Sequence, residues 1–146
     1  MYFGYFEHTL DDKGRLLLPK RMKEGLNESS SLYVLKGFEG CLSVYNEAEF
    51  NKLCLECEKI SFNHKNSRSY LRIVLGSVVQ LSLDKVGRIQ LPSLILNKYN
   101  IKKDVIILGV GDHFEIWDQE IYLAYEKATN DNFEEIAEKM EEENGK

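Results

Sequence analysis

The sequence predicts an α+β protein made of two copies of one small β-rich unit, with flanking helices. Three features indicate this class: an eleven-residue stretch that occurs twice, alternating apolar and polar residues around each copy, and helical periodicity between and after the copies. A chain of 146 residues suits one compact domain or two very small ones, and half of it would bury only a marginal core. We therefore expect the two units to pack against each other or against neighbouring subunits.

The duplicated stretch covers residues 9–19 and 82–92, at a constant offset of 73 residues. Six of its eleven positions are identical, namely Leu, Asp, Gly, Arg, Leu and Pro. A second window matches at an offset of 72 and pairs Leu35, Gly37, Leu42, Val44 and Tyr45 with Ile107, Gly109, Phe114, Ile116 and Trp117. We therefore divide the chain into a first unit at 1–62 and a second unit at 63–146.

Each unit is predicted to contain a strand, a tight turn, a second strand, a short helix and a hairpin. Period-two alternation predicts the first strands, whose inner faces carry Phe6, His8 and Leu10 in one unit and Val79, Leu81 and Leu83 in the other. Gly14 and Gly87 mark the turns, because a residue without a Cβ adopts positive φ most readily. Pro19 and Pro92 end the second strands and suit the first turn of a helix.

The remaining elements follow from turn residues, caps and periodicity. Short helices are predicted at 20–26 and 93–99, and hairpins at 32–35 with 42–45 and at 105–108 with 114–117. Asn46 and Glu49 form a capping-box pattern that begins a helix over 46–61. A polar turn over 63–69 is expected to lead into a short helix over 70–75, and Asp118 and Asp131 are predicted N-caps of helices over 119–128 and 132–143.

The net charge of −5 by itself disfavours binding to a phosphate backbone. Residues 131–146 hold seven acids and two bases, so this tail contributes −5 and residues 1–130 sum to zero. Residues 8–24 hold five bases and three acids, which gives a local charge of +2. The acidity therefore lies in a C-terminal tail, and the region around the first turn is basic.

Cysteine use and hydropathy indicate a cytoplasmic protein. The three cysteines are too few, and odd in number, for a disulfide framework. The longest aliphatic run, at 105–108, is too short to cross a bilayer, and the N-terminus lacks the pattern of a signal peptide. We therefore expect no membrane partner.

The repeated Asp-x-x-Gly-Arg motif is the constellation that suggests a function. An arginine side chain offers a planar fork of donors that suits phosphate oxygens or the O6/N7 edge of guanine. The aspartate can accept backbone N–H groups across the turn, or it can hold the arginine in position. Two such turns on one face could reach adjacent parts of a DNA groove. We therefore predict DNA contacts by Asp11, Lys13, Arg15, Lys20, Asp84, Lys85 and Arg88.

The same residues also fit a purely structural role, in which Asp11 with Arg15 and Asp84 with Arg88 are ion pairs at the surface of a hairpin. Duplication preserves positions that pack, yet here a charged pair has survived beside the apolar ones. This survival favours recognition of a ligand, although the pair can also serve only to orient the turn in both units.

Four motifs of the chain resemble those of the MraZ family, and the resemblance extends over nearly the whole chain. The pattern Met-x-x-Gly-x-x-x-x-x-Leu-Asp-x-Lys-Gly-Arg-Leu-x-Leu-Pro at 1–19 is similar to the start of the family, and residues 83–89 are similar to its second copy. Residues 37–42 and 109–117 resemble the two hairpin motifs of the family. This combination is specific, whereas a single Asp-x-x-x-Arg would not be.

The resemblance implies an AbrB/SpoVT-like fold of swapped hairpins, in which the two units form an internal pseudo-dimer. It also implies a ring of several copies that regulates transcription in the cytoplasm and nucleoid. The implied DNA targets are short repeated sites upstream of a division and cell-wall gene cluster, read by the two Asp-x-x-x-Arg elements. Val86 stands where the first copy has Lys13, so we expect the first turn to contribute more.

Other chemistry has less support in the sequence. Cys54 and Cys57 share the inner face of a predicted helix and lack a second pair of ligands, so we expect core residues and no metal. His8, His64 and His113 have no nucleophile at a recognisable spacing, so we expect no enzyme, cofactor or small-molecule substrate. The second functional hypothesis is an oligomeric protein-interaction module that uses the acidic helical tail.

Overall fold

The computed structural model of the protein describes residues 1–27 and 29–145. The strands are β1 (Tyr2–Thr9), β2 (Arg15–Leu17), β3 (Ser31–Lys36), β4 (Leu42–Asn46), β5 (Val79–Ser82), β6 (Arg88–Gln90), β7 (Asp104–Gly111) and β8 (Phe114–Asp118). The helices are α1 (Lys20–Lys23), α2 (Glu47–Glu58), α3 (Lys65–Gly76), α4 (Ser93–Lys98), α5 (Gln119–Asn130) and α6 (Phe133–Glu143). The predicted α+β class is confirmed.

The strands form a six-stranded antiparallel sheet and a separate two-stranded ribbon. The sheet has the order β1-β7-β8-β4-β3-β5, and the ribbon pairs β2 with β6. In the sheet, β1 of the first unit pairs with β7 of the second, and β5 of the second unit pairs with β3 of the first. Each unit therefore gives its first strand to the other, which confirms the swapped, internally pseudo-dimeric arrangement.

The pairing register shows where the pseudo-twofold axis passes. Leu16 lies opposite Ile89 in the ribbon, and these two residues are equivalent at the offset of 73. Ser43 lies opposite Glu115 where β4 meets β8, and these two are equivalent at the offset of 72. A residue that pairs with its own equivalent must lie on the axis, so the axis runs through the ribbon and through the middle of the sheet.

One hydrophobic core joins the two units. Because side chains of a strand alternate between its faces, Leu16 and Ile89 point inward from the ribbon, and both are 0% exposed. Leu18 and Leu91 follow them into the same core. Full burial of a leucine or isoleucine side chain stabilises a fold by about 1.5–3 kcal/mol. The ribbon is therefore anchored by apolar residues that alternate with the polar ones.

Two predicted N-caps are confirmed. The side chain of Asn46 accepts a hydrogen bond from the Glu49 N–H at 2.9 Å, and that of Asp118 accepts one from the Ile121 N–H at 3.4 Å. Asp131 is not a third N-cap, because it directly follows the last residue of α5, and Asn132 precedes the first residue of α6, Phe133.

The helices differ in length from the sequence predictions. α2 ends three residues earlier than predicted, α5 ends two residues later, and α4 and α6 differ by one residue at one end. α1 ends earlier than predicted, since Gly25 takes a positive φ of 82° just beyond it. α3 begins five residues earlier than predicted, at Lys65 instead of 70, because a face in contact with solvent needs no apolar residues. No helix within residues 1–27 and 29–145 is long and apolar enough to cross a membrane.

Gly109 allows β1 to approach β7. Gly4 lies opposite Gly109 in the register, and a Cβ at Gly109 would collide with the backbone of Tyr2 and Phe3. The exchanged first strand therefore depends on the absence of a side chain at this position.

Replacing Gly109 by alanine should lower the free energy of unfolding by about 1–3 kcal/mol, because the backbone of β1 must shift. Gly76→Ala is the matched control, since a Cβ there would meet nothing within 4 Å; it should be neutral or stabilise by about 0.4–1 kcal/mol. Urea denaturation of both variants measures the difference, and equal stability of the two would show that β1 does not need the glycine.

Candidate nucleic-acid interface

The first turn is closed by the carboxylate of Asp11. Its Oδ1 accepts hydrogen bonds from the backbone N–H groups of Lys13 at 2.9 Å and Arg15 at 2.8 Å. Its Oδ2 accepts a hydrogen bond from Arg15 Nε at 2.6 Å. Gly14 takes the expected positive φ of 77° and donates its N–H to the Asp11 carbonyl at 3.0 Å. One aspartate therefore both closes the turn and orients the arginine that follows it.

The second turn repeats this pattern. Asp84 Oδ1 accepts from the N–H groups of Val86 and Arg88, both at 2.9 Å, and Oδ2 accepts from Arg88 Nε at 2.7 Å. Gly87 has a positive φ of 95°. The two turns have the same bonds at the same relative positions, so the duplication preserved the geometry as well as the residue types.

Both aspartates are stabilised in the charged form. The hydrogen bond from the Arg88 backbone N–H is the largest cause that lowers the pKa of Asp84 to about 2, and the Arg88 side chain and the Val86 N–H add to it. The pKa of Asp11 is lowered by the corresponding bonds, led by the Arg15 N–H. A hydrogen bond to a carboxylate favours its ionised state, so both turns hold their arginines throughout the neutral range of pH.

The ribbon brings the two arginines to one surface. Arg15 lies opposite Gln90 and Arg88 lies opposite Leu17, while Leu16 and Ile89 between them face the core. The Arg15 and Arg88 side chains are 31% and 29% exposed. Both lie on the outer face, diagonally across the pseudo-twofold axis, and such diagonal neighbours are about 7–8 Å apart.

The guanidinium groups keep donors that can meet a ligand. Among the described residues, hydrogen bonds hold each arginine side chain through its Nε. Arg88 Nη1 also lies 4.0 Å from Asp11 Oδ2, so the two turns are coupled through charge across the axis. The structure therefore joins the two sequence interpretations, because the arginines are paired with carboxylates and are also displayed at the surface.

The three predicted lysines differ in how close they are to the arginines along the chain. Lys13 and Lys85 lie within the turns, Lys20 begins α1, and all three are exposed. Within residues 1–27 and 29–145, no ion pair or side-chain hydrogen bond links Lys20 to either turn. The structure therefore brings Asp11, Arg15, Asp84 and Arg88 together, and it leaves Lys20 at the side.

Sequence reasoning missed two residues of the outer face, Leu17 and Gln90. Gln90 Nε2 donates a hydrogen bond to the Lys13 carbonyl at 2.9 Å, which ties β6 to the first turn. Leu17 is 43% exposed beside Arg88. Period-two alternation around the buried leucine and isoleucine could have placed both residues outward, but their closeness to the arginines depends on pairing between the two units.

Among the described residues, the histidines, cysteines and aromatic residues considered from the sequence do not form a second functional site. Tyr45 stacks on His113 with ring centroids 4.5 Å apart, beside a largely apolar cavity of about 230 Å³. Cys54 and Cys57 are free; Cys57 is buried as predicted, whereas Cys54 is only half-buried and is not a core residue. In the part of the chain that the structure describes, no group of three or more His, Cys, Asp or Glu residues could hold a metal ion.

The carboxyl group of Asp84 should titrate near pH 2 in the folded protein, well below its ordinary value of 3.8. Because the folded pKa is depressed, the charged carboxylate stabilises the turn above about pH 4, and this contribution is lost as the pH falls through 2. An NMR titration of the side-chain carboxyl carbon measures the midpoint.

The matched variant is Arg88→Gln, which removes the guanidinium and keeps both backbone N–H donors. The midpoint should rise in this variant and remain below 3.8, because the Arg88 backbone hydrogen bond is the largest cause of the shift. A midpoint near 3.8 in the unmodified protein would mean that the carboxylate does not close the turn.

Comparison with known proteins agrees with the repeat in the chain. A family model described as "MraZ protein, putative antitoxin-like" matches twice, over residues 1–73 and 74–144. Curated relatives named transcriptional regulator MraZ match nearly the full chain. The relative from Mesoplasma florum is 41% identical over 138 residues, which cover 94% of each protein.

A relative of the same name from Caldanaerobacter subterraneus subsp. tengcongensis is 38% identical over 141 residues, which cover 97% of each protein. Another from Ureaplasma parvum serovar 3 is 31% identical over 140 residues, which cover 96% of this chain and 97% of the relative. Two adjacent family matches and similarity over almost the full length lead to one conclusion: the chain belongs to the MraZ family.

Proposed function

We propose that this protein is a sequence-specific DNA-binding regulator that inserts the β2·β6 ribbon into the major groove. The observation that carries the proposal is the display of two carboxylate-oriented arginines, Arg15 and Arg88, on one outer face of a two-stranded ribbon. The major groove is about 12 Å wide and admits a two-stranded β-ribbon.

The geometry suits the edge of guanine. Each aspartate engages the Nε of its arginine, which leaves the two Nη atoms for a bidentate contact to O6 and N7. The Cα atoms of the two arginines, as diagonal neighbours in the ribbon, are about 7–8 Å apart. Successive bases of one DNA strand rise by about 3.4 Å. The ribbon should therefore read two bases about two steps apart. Asp11 and Asp84 would position the arginines, and the lysines would contact phosphates, namely Lys13, Lys20 and Lys85.

The family relatives support a role in transcription, since they are named transcriptional regulators. By the family resemblance, the targets are short repeated sites upstream of the division and cell-wall gene cluster. The protein acts in the cytoplasm, associated with the nucleoid, and it is not an enzyme and needs no cofactor or small-molecule substrate.

Assembly into a ring would offset the unfavourable effect of the net negative charge on DNA binding. The body of each chain is neutral and has a basic region of +2 around the first turn. Several copies aligned on a ring would bind repeated sites together, and linked binding events raise avidity without new contacts. The acidic tails would oppose this little if they point away from the duplex, because charges beyond about 8 Å are screened at physiological salt.

Arg15→Ala should abolish specific binding and leave the fold intact, because the side chain lies on the outer face of the ribbon. A bidentate contact provides about 1–3 kcal/mol of discrimination between bases, so affinity for a selected site should fall roughly fivefold to 150-fold, to the affinity for an unrelated duplex. Gel-shift assays on duplexes selected by the protein from random DNA measure the loss, and Arg88→Ala should behave likewise.

Two controls make this test specific. Arg72→Ala removes the same charge from exposed α3 and should leave affinity unchanged. Arg15→Lys keeps the charge and loses the planar fork, so it should retain non-specific binding and lose discrimination. Unchanged affinity and specificity in both Arg15→Ala and Arg88→Ala would exclude the ribbon as the reading surface.

One observation favours a second candidate function, an oligomeric protein-interaction module that uses the acidic tail. Along α6, Phe133, Ile136 and Met140 are 65%, 44% and 54% exposed. The same helix carries six glutamates and one lysine. A helix with an apolar stripe and an acidic face suits docking onto a protein surface.

Deleting residues 131–146 separates the two functions. If the ribbon reads DNA and the tails point away from the duplex, specific affinity should change by less than about threefold at 0.15 M salt, because charges beyond about 8 Å are screened. Loss of specific binding on deletion would contradict this expectation. Assembly that requires the tail, together with affinity indifferent to Arg15 and Arg88, would support the interaction module instead.

A further inference from the structure

The two turns differ at two charged positions, because Asp12 and Lys13 of the first turn correspond to Lys85 and Val86 of the second. The first turn contains Lys13, and the equivalent position of the second turn is Val86. The second turn therefore lacks a cation of its own at the position that, in the first, lies next to the glycine.

The fold brings a different lysine to the second turn. The side chain of Lys23 lies against Gly87, where its Nζ is 2.8 Å and its Cδ is 2.9 Å from the position that a Cβ on Gly87 would take. Lys23 is the last residue of α1, which belongs to the first unit. The glycine thus provides the space that this lysine occupies, in addition to the positive φ of the turn.

The pseudo-symmetric position carries an apolar residue. At the offset of 73, the equivalent of Lys23 is Leu96, and Leu96 Cδ1 lies 3.3 Å from the position of a Cβ on Gly14. Each turn therefore receives one side chain from the other unit. Next to its glycine, the first turn has its own Lys13 and the leucine of the other unit, whereas the second has Val86 and the lysine of the other unit, with its own Lys85 one position earlier.

Lys23 is held in place by its surroundings. Met22, its neighbour in α1, is 0% exposed. The Leu18 N–H donates a hydrogen bond to the Gly87 carbonyl at 3.2 Å, which fixes the start of this segment to the second turn. Lys23 itself is half-buried, as expected when an aliphatic stem packs and the ammonium reaches water.

We propose that Lys23 supplies the phosphate-binding ammonium of the second turn and replaces the cation that Val86 does not provide. This inference rests on the proposed DNA-binding function. The ligand is a backbone phosphate of the duplex beside the guanidinium of Arg88. A lysine is a compact point charge suited to phosphate, and in residues 1–27 and 29–145 no carboxylate lies within 4.0 Å of its Nζ.

The test uses the full-length protein and a duplex with one site, selected by this protein from random DNA. Lys23→Met keeps an unbranched apolar stem and removes the charge. One phosphate contact contributes about 0.9 to the slope of log affinity against log salt. The variant should lose this amount of slope, which corresponds to roughly a fivefold loss of affinity at 0.15 M salt.

Three further variants complete the test. Lys23→Arg should keep the slope, because the charge remains. Adding Val86→Lys to Lys23→Met should restore both slope and affinity, since the cation returns to its equivalent position in the turn. Lys139→Met removes a lysine of the same charge from α6, where it pairs with Glu135 at 3.5 Å, and should change neither quantity.

The outcomes separate this inference from the proposed function. An unchanged slope in Lys23→Met overturns the inference, whether affinity stays constant or falls through altered packing, and the proposed function stands if Arg15→Ala still abolishes binding. If Lys23→Met loses the slope and the added Val86→Lys does not restore it, then a lysine at position 86 cannot replace Lys23, and that part of the inference is wrong. If Arg15→Ala and Arg88→Ala leave binding unchanged, the proposed function itself fails.

Discussion

The rest of the structure depends on the pairing of β2 with β6 around Leu16 and Ile89. Both side chains are fully buried and lie on the pseudo-twofold axis, so each unit completes the inner face of the other. A strand of three residues cannot stand alone, and three or more strands or a packed partner are needed for independent stability. The arginines share a surface because the core below them is shared.

The Asp-x-x-Gly-Arg turn has a structural role and provides a surface for binding at the same time. Asp11 and Asp84 each accept two backbone N–H groups, which fixes the turn, and one arginine Nε, which fixes the direction of the side chain. An arginine held in this way loses little conformational freedom when it meets a ligand. The two interpretations that the sequence left open are therefore compatible.

The two units are alike near the pseudo-twofold axis and differ farther from it. Core residues near the axis contact their own equivalents, so a change in one must fit both units. Farther from the axis, β1 has eight residues and β5 has only four. The end of α3 takes up sequence positions of the second unit that are equivalent to the start of β1 in the first. Lys23 and Leu96 differ in the same way, since each contacts only the other unit's turn.

The sequence by itself determined the elements whose causes are local. Alternation gave β1 and β5, Gly14 and Gly87 gave the turns, and Asn46 and Asp118 gave the caps. The repeat also predicted which charged residues form the candidate site.

Tertiary structure alone decided the ribbon register that makes Arg15 and Arg88 neighbours and the position of Lys23 on Gly87. The strand exchange was implied by the family resemblance, but no local pattern in the sequence indicated it. These contacts join residues between 45 positions apart, as in Val34 with Val79, and 109 positions apart, as in Tyr2 with Gly111. These contacts are stabilised by burial of apolar surface, which the chain can achieve only after the two units meet. A local sequence pattern does not specify which distant residue a side chain will be buried against.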